Sequence, residues 1–134
     1  MGQMVKLTSS DGFELGAYRA DPAGAPKGGV VIIQEIFGVN KHIKEVCDGY
    51  AADGYIAIAP ALFDRVEKDL ELGYVPEDQE KGKATRGQLN WDDSLADSQA
   101  AAEAIRGDAG KVGIIGYCFG GSVAWIAATR GNFD

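Results

Sequence analysis

A cysteine stands in a glycine-rich turn that directly follows an apolar run. The turn reads Gly-Tyr-Cys-Phe-Gly-Gly at residues 116–121, and the apolar run covers residues 112–115. A strand that reverses sharply into a helix crowds any Cβ two positions before or after the residue at the turn, so small residues are needed there. Gly116 and Gly120 meet that requirement. The pattern predicts a nucleophile elbow with Cys118 at its tip.

The predicted position of Cys118 suits thiol chemistry. Its sulfur would lie at the first turn of the following helix, where unpaired N–H groups and the helix dipole favour a thiolate over a thiol. The thiolate is the nucleophilic form of cysteine. The alternative is a buried strand and turn with an inert core cysteine, because free cysteine is among the most often buried residue types.

A carboxylate follows the first apolar run of the sequence. Residues 30–33 read Val-Val-Ile-Ile and lead straight into Gln34 and Glu35. Because the carboxyl ends of parallel strands meet at one edge of a sheet, we expect Glu35 and Cys118 on the same rim. Glu35 could then accept the thiol proton. Alternatively, it only caps or salt-bridges the helix that follows.

Two backbone N–H groups are expected at the same rim. An oxyanion hole in this architecture takes one donor from the first strand-helix loop and one from the residue after the nucleophile. In this sequence those residues are Ile36 and Phe119. Together with Cys118 and Glu35 they form the predicted catalytic set.

The elements that must position this set alternate between strands and helices. Residues 5–7 and 13–20 flank Ser-Ser-Asp-Gly and predict an antiparallel hairpin. Continuous apolar runs then predict strands buried on both faces, at residues 30–33, 55–59 and 111–115. Pro60 is expected to stop the second of them. Helices are predicted at residues 40–52, 77–85, 92–106 and 120–129. The fold class is α/β: a hairpin, then a parallel sheet with helices on both faces.

Composition describes an ordinary globular chain and excludes several classes of protein. The 134 residues fit one domain with a substantial core. A net charge of -7 argues against nucleic-acid binding, which needs a basic stripe. No apolar stretch approaches a bilayer span and no signal-peptide pattern opens the chain, so we expect a cytoplasmic location and no membrane partner. The 2 cysteines and 1 histidine fit neither a disulfide framework nor a zinc site, and no cofactor is implied.

The two motifs together resemble the dienelactone hydrolase family of α/β-hydrolases. The resemblance rests on Gln-Glu-Ile-Phe-Gly-Val-Asn at residues 34–40 and on the cysteine turn at residues 116–121, with Pro-Ala-Leu-Phe-Asp-Arg at residues 60–65 in support. It implies an α/β-hydrolase-like fold and hydrolysis of a small lactone or ester, typically carboxymethylenebutenolide in chloroaromatic breakdown. The reaction would pass through an acyl-cysteine intermediate.

The resemblance also implies a role for each residue of the catalytic set. Cys118 would be the nucleophile. Glu35 would pair with the resting thiol and receive its proton when substrate displaces it. Ile36 and Phe119 would donate the oxyanion N–H groups.

The sequence departs from the family pattern in its triad. In this fold the nucleophile is followed along the chain by an acid and then by a histidine, and no histidine follows Cys118. His42 precedes the nucleophile, in the first turn of a predicted helix, and is expected to be a surface or supporting residue. We therefore expect one domain over residues 1–134 that is truncated after the elbow helix, with its C-terminal part missing, and we expect no activity from this fragment alone.

The family holds its substrate carboxylate with arginines, and one of these positions also differs. Alignment by eye places Gly82 there, with Lys81, Lys83 and Arg86 around it. Arg86 is our candidate for carboxylate binding, and Trp91 is our candidate for a pocket wall. Solvated surface charge and simple helix packing are the respective alternatives.

Two other interpretations of the chain stay open. Flavodoxin-like proteins, such as the DJ-1 family and class I amidotransferases, also place a cysteine on an elbow opposite a glutamate, although residues 34–40 speak against that class. The third interpretation is a non-catalytic fragment with an inert cysteine. In any of them, an unpaired edge of the strand at residues 111–115 would favour self-association.

Overall fold

A mixed sheet with helices on both faces forms the molecule. The computed structural model describes residues 2–134, which form five strands, four α-helices and one short 3-10 helix. The strands are β1 (Gln3–Thr8), β2 (Glu14–Ala20), β3 (Gly29–Ile33), β4 (Ile56–Pro60) and β5 (Val112–Gly116). The α-helices are α1 (Lys41–Ala52), α2 (Pro76–Gly87), α3 (Trp91–Ala109) and α4 (Phe119–Arg130), and the 3-10 helix covers Leu62–Arg65.

The order of the strands brings the two predicted motifs together. The sheet runs β1-β2-β4-β3-β5. The β1–β2 and β2–β4 pairs are antiparallel, whereas β3 is parallel to both β4 and β5. Ile33 at the end of β3 is the register partner of Gly116 at the end of β5. The segments that begin at Gln34 and Tyr117 therefore leave neighbouring strands at the same edge of the sheet.

Both faces of β3 are covered, which confirms the predicted α/β class. Ile32 packs with α1 residues in one core cluster. Val31 and Ile33 point to the other face, where they pack with residues of α3 and α4. Alternation of buried residues between two faces explains why the run 30–33 is apolar without interruption.

Pro60 differs slightly from its expected position. It is the last residue of β4 rather than the residue that stops the strand, and it is the register partner of Ala17 in β2. Pairing of β4 with β3 ends at Ile58. Pro60 thus lies beyond the parallel ladder, where its missing N–H group removes no hydrogen bond to β3.

One arginine connects three elements beneath the sheet edge. The Arg65 guanidinium contacts Asp97 of α3 at 2.8 Å and Asp11 of the hairpin turn at 2.9 Å. The Asp97 and Asp11 carboxylates raise the pKa of Arg65. The hydrogen bond from Arg65, with a second one from Phe13 N–H, lowers the pKa of Asp11 to about 2. The Arg65 charge also lies 4.5 Å from the centre of the Phe13 ring. The hairpin, the 3-10 helix and α3 are therefore fixed relative to one another.

The outer edge of β5 is only partly covered in residues 2–134. Asp134 exchanges two hydrogen bonds with Val112, one through its backbone N–H and one through its carboxylate, each of 2.8 Å. From Gly113 onward, β5 pairs with β3 alone in that part of the chain.

Within residues 2–134, no helix is both long enough and apolar enough to cross a lipid bilayer.

Candidate active site

Cys118 occupies the tip of a tight turn between β5 and α4. Its backbone has φ 56° and ψ -118°, a positive φ that L-residues rarely adopt. Gly120 N–H donates to the Tyr117 carbonyl and Gly121 N–H to the Cys118 carbonyl, both at 2.9 Å. The side chain is exposed. The strained turn therefore presents the thiol to solvent at the N-terminus of α4.

The glycines of the turn have no room for side chains. A Cβ on Gly116 would come closer than 3.0 Å to the Gly120 carbonyl. A Cβ on Gly120 would come equally close to the backbone of Ile33 and Gln34, at the end of β3. The first turn of α4 therefore packs directly against the segment that carries Glu35. This close approach is the physical basis of the spacing seen in the sequence.

Two backbone N–H groups near this turn have no acceptor. Neither Ile36 N–H nor Phe119 N–H donates a hydrogen bond to any group in residues 2–134. Ile36 belongs to the loop after β3, and Phe119 is the first residue of α4. No side chain caps the N-terminus of α4. The two donors that sequence reasoning selected are thus free to bind an oxygen atom.

Glu35 carries an unpaired acceptor on the same rim. The residue is half-buried, and its Oε1 atom is buried with no hydrogen-bond partner among residues 2–134. A buried acceptor without a partner costs about 1–3 kcal/mol. No ion pair or helix cap occupies Glu35 in that part of the chain. This oxygen is therefore free to accept a hydrogen bond, and Glu35 caps no helix in the described chain.

The loop that follows β3 is held from several sides. Gly38 has φ 80° and lies so close to the Leu70 carbonyl that no Cβ would fit there. Leu72 N–H donates to the Phe37 carbonyl at 2.8 Å. At the opposite end of the loop, the fully buried Gln34 amide contacts backbone groups on two segments. Sequence reasoning assigned no role to Gln34, although an amide directly after an apolar strand was a usable signal.

A cleft of about 310 Å³ opens beside Phe119. It is lined by Arg86, Gly87, Leu89, Asn90, Trp91, Ser94, Phe119 and Ser122. The Trp91 and Phe119 ring centres are 6.2 Å apart. The structure therefore brings Arg86, Trp91 and Phe119 to one cavity, whereas Cys118, Glu35 and Ile36 are not among its lining residues.

The three cations of α2 differ in their surroundings. Lys81 pairs with Glu67 at 3.2 Å and Lys83 with Glu80 at 3.6 Å. In residues 2–134 no carboxylate lies within 4.0 Å of Arg86. No side chain fits at Gly82, because a Cβ there would run into the Ile36 carbonyl. Arg86 is thus the α2 cation available to an anionic ligand.

His42 lies near Tyr117, the residue that precedes Cys118. It is exposed in the first turn of α1, and its ring centre is 6.4 Å from that of Tyr117. This position agrees with a surface or supporting residue, as the sequence suggested.

Comparison with known proteins places this geometry in a family. The family model described as "Dienelactone hydrolase family" matches residues 15–134. The chain belongs to the dienelactone hydrolase family. A carboxymethylenebutenolidase of Pseudomonas putida is 34% identical over 134 residues, which cover 97% of this chain and 57% of that protein. Carboxymethylenebutenolidase 1 of Cupriavidus pinatubonensis is 32% identical with the same coverage.

Solved structures of the dienelactone hydrolase type agree with the fold. A candidate dienelactone hydrolase from Klebsiella pneumoniae superposes with a TM-score of 0.78 at 32% identity, covering 97% of this chain and 55% of that one. A dienelactone hydrolase-like promiscuous phosphotriesterase, P91, from metagenomic libraries gives 0.68 at 25% identity, with coverages of 95% and 54%. The chain spans about half the length of the curated relatives that it matches.

Proposed function

We propose that this chain carries the acylation machinery of a hydrolase that cleaves small lactones or esters through an acyl-cysteine. The observation that carries the proposal is the pair of unpaired N–H groups of Ile36 and Phe119 beside the strained Cys118 turn. The relatives named carboxymethylenebutenolidase support a dienelactone-like substrate. Free cysteines also support a cytoplasmic location. We propose that the reaction serves the breakdown of aromatic compounds.

In the proposed acylation, each residue of the catalytic set has one role. Cys118 Sγ attacks the carbonyl carbon of the ester while its proton passes to Glu35. The carbonyl oxygen becomes an oxyanion and binds the N–H groups of Ile36 and Phe119. The C–O bond to the leaving group then breaks, the leaving oxygen takes up the proton, and a thioester remains on Cys118. Hydrolysis of the thioester, which would restore the thiol, needs a base that activates water.

The cleft beside Phe119 would hold the remainder of the substrate. Arg86 supplies a cation for a substrate carboxylate, and Trp91 supplies an aromatic wall. The Arg86 side chain is exposed, so this ion pair would be worth only about 1 kcal/mol.

Repeated turnover needs a group that the acylation step does not use. Deacylation needs a general base to activate water, and His42 is the sole histidine of the sequence. It is exposed in the first turn of α1, with its ring centre 6.4 Å from that of Tyr117, and it makes no hydrogen bond that would orient it as a base in residues 2–134. We therefore propose that residues 1–134 can be acylated once but do not turn over, so that the fragment alone has no catalytic activity, and that the full cycle belongs to a longer protein of the size of the relatives.

A single-turnover experiment tests the proposal. The chain is mixed with p-nitrophenyl acetate, and we expect a burst of about one nitrophenolate per molecule together with one acetyl group on Cys118 by peptide mass spectrometry. Cys118→Ala should abolish both signals, and Cys47→Ala should preserve them. If neither signal appears with wild-type protein, the result favours the interpretation of the chain as a non-catalytic fragment. Release of ammonia from glutamine without any acetylation would favour the amidotransferase class.

The role of Arg86 is tested by changing the charge of the ester. Arg86→Gln should lower the acylation rate constant about 5-fold for an ester that carries a carboxylate and leave it within about 2-fold for p-nitrophenyl acetate. Lys83→Gln is the matched control, because Lys83 has its own partner, Glu80, and does not line the cleft. Equal effects of the two substitutions on the anionic ester would refute the role.

We also propose self-association through the outer edge of β5. Its backbone from Gly113 to Gly116 pairs only with β3 in residues 2–134, and unpaired edge groups are templates for a strand of another copy. On the adjacent helix α4, Trp125 is 75% exposed. Sedimentation velocity should show a dimer or larger species whose population grows with concentration. A sharp monomer at all concentrations would contradict this.

A further inference from the structure

We propose that Gln34 is a positioning residue that sets the direction of the Ile36 N–H group. The inference rests on the proposed function, in which that N–H binds the oxyanion. It concerns a side chain that touches neither substrate nor nucleophile in the mechanism above. Gln34 is 0% exposed and comes directly after β3.

The Gln34 amide bridges two backbone segments. Its Nε2 donates to the Glu35 carbonyl at 3.0 Å, and its Oε1 accepts from Leu62 N–H at 3.0 Å. The Glu35 carbonyl can only accept and the Leu62 N–H can only donate, so the two contacts define which end of the amide is which. The bridge joins the loop after β3 to the start of the 3-10 helix after β4.

The bridge fixes a peptide plane. The Glu35 carbonyl and the Ile36 N–H belong to the same peptide unit, and residues 2–134 contain no cis peptide bond. In a planar trans peptide these two groups point in opposite directions. Because Gln34 holds the Glu35 carbonyl toward its own buried amide, the Ile36 N–H must point away from the interior. That orientation explains why this N–H has no acceptor in the described chain.

The next peptide is fixed from the other side. The Ile36 carbonyl lies against Gly82 of α2, at a distance that leaves no space for a Cβ. The Ile36 residue is therefore held by Gln34 on its N-terminal side and by α2 on its C-terminal side. Loss of the Gln34 bridge removes the buried side-chain constraint on the Glu35–Ile36 peptide, which then depends on the Glu35–Gly38 backbone bridge and the α2 contact alone.

Two reactions of the Cys118 thiol distinguish an effect of Gln34 on the oxyanion hole from a general effect on the reactivity of the thiol. Acylation by p-nitrophenyl acetate passes through an oxyanion and depends on the Ile36 N–H. Alkylation by iodoacetamide displaces iodide at a saturated carbon and forms no oxyanion. The ratio of the two rate constants for Cys118 therefore reports the oxyanion hole and cancels changes in thiolate population or access.

Gln34→Met removes both hydrogen bonds and keeps the side-chain length. We expect its acylation-to-alkylation ratio to fall about 10- to 100-fold, with alkylation within about 2-fold of wild type. Gln34→Glu is the conservative variant, since a buried carboxyl group stays protonated and can still donate to the Glu35 carbonyl. Its ratio should approach the wild-type value at pH 6 and fall as the pH rises and the carboxyl ionises.

Tyr18→Phe serves as the matched control. The Tyr18 hydroxyl also makes two hydrogen bonds, to Asp48 and from Gly2 N–H, but in β2 and away from the elbow. Its loss should leave the ratio unchanged. Thermal unfolding of each variant shows whether it is folded at the assay temperature, and if Gln34→Met is not, the pH profile of Gln34→Glu decides.

The outcomes distinguish this inference from the proposed function. If wild-type Cys118 is alkylated but never acylated, the proposed function fails. If wild type is acylated and Gln34→Met keeps the same ratio, or Gln34→Glu shows a ratio independent of pH, the role of Gln34 is refuted. An equal fall in acylation and alkylation would likewise refute it, because the effect would then lie on the thiol itself.

Discussion

The two cysteines of the chain stand in opposite surroundings. Cys47 lies within α1, fully buried among apolar side chains, and burial together with the nearby Asp48 carboxylate raises its pKa to about 12. Cys118 is exposed in front of α4, on a residue with φ 56°. The same side chain is thus packing material in one place and a candidate nucleophile in the other. Position relative to a helix, not residue type, makes the difference.

The two helix N-termini show how this difference is built. At α1, the Asn40 side chain accepts a hydrogen bond from Ile43 N–H and donates to the Leu72 carbonyl. At α4, the residue in the capping position is Cys118, which makes no side-chain cap. An Asn or Ser cap stabilises a helix by about 1 kcal/mol. The N-terminus of α4 lacks this stabilisation, and its N–H groups stay available to bind a ligand.

Selective alkylation is the largest expected effect and tests the comparison directly. In folded protein at pH 8, iodoacetamide should modify Cys118 about 1,000-fold faster than Cys47, because a thiol with a pKa near 12 is almost wholly protonated there. Peptide mass spectrometry at timed quenches measures both rates. In urea the two rates should converge. Equal alkylation rates in folded protein would contradict the difference in reactivity between the two cysteines and favour an inert Cys118.

Substitutions in β5 test whether the elbow depends on close backbone contact. Gly116→Ala should lower the free energy of unfolding by about 3 kcal/mol or more, since its Cβ would overlap the Gly120 carbonyl. Gly113→Ala is the matched control in the same strand, with nothing within 4 Å of the added Cβ. It should change stability by less than about 0.5 kcal/mol. Urea denaturation measures both, and similar values would contradict the close contact.

Alkaline titration of stability gives the smallest expected effect and reports on Cys47. Its folded pKa of about 12 lies above an unfolded value near 9, so the free energy of unfolding is unaffected below pH 9 and falls as the pH rises toward 12. Between pH 9 and pH 10 the loss should be about 1 kcal/mol. Cys47→Ala should reduce this slope. An unchanged slope in Cys47→Ala would contradict the assignment.

Local patterns were sufficient to predict the elements of the fold. The continuous apolar runs predicted β3, β4 and β5 to within two residues, because such runs can only be accommodated between two covered faces. The glycine spacing predicted the elbow, because the steric demand lies within a few residues along the chain. The helix expected at residues 77–85 is α2, Pro76–Gly87.

Contacts between distant segments were beyond sequence reasoning. Gln34 reaches Leu62 across 28 positions, and nothing local to either residue specifies that hydrogen bond. The cleft depends on how α2, α3 and α4 pack, so Arg86 and Trp91 were placed by analogy and only their shared cavity is a structural finding. No local pattern indicates that the Ile36 carbonyl occupies the space of a Cβ at Gly82.

The position of β3 in the sheet also imposes an order on folding. β3 pairs Val30 with Ala57 of β4, but it pairs Gly29 with Val112 of β5, about 80 residues later. Closing the longer connection costs more chain entropy and is slow. We expect the hairpin, β3 and β4 to assemble first and β5 to dock last. The elbow would then acquire its geometry in the final step, and the gain of Cys118 reactivity would time the completion of folding.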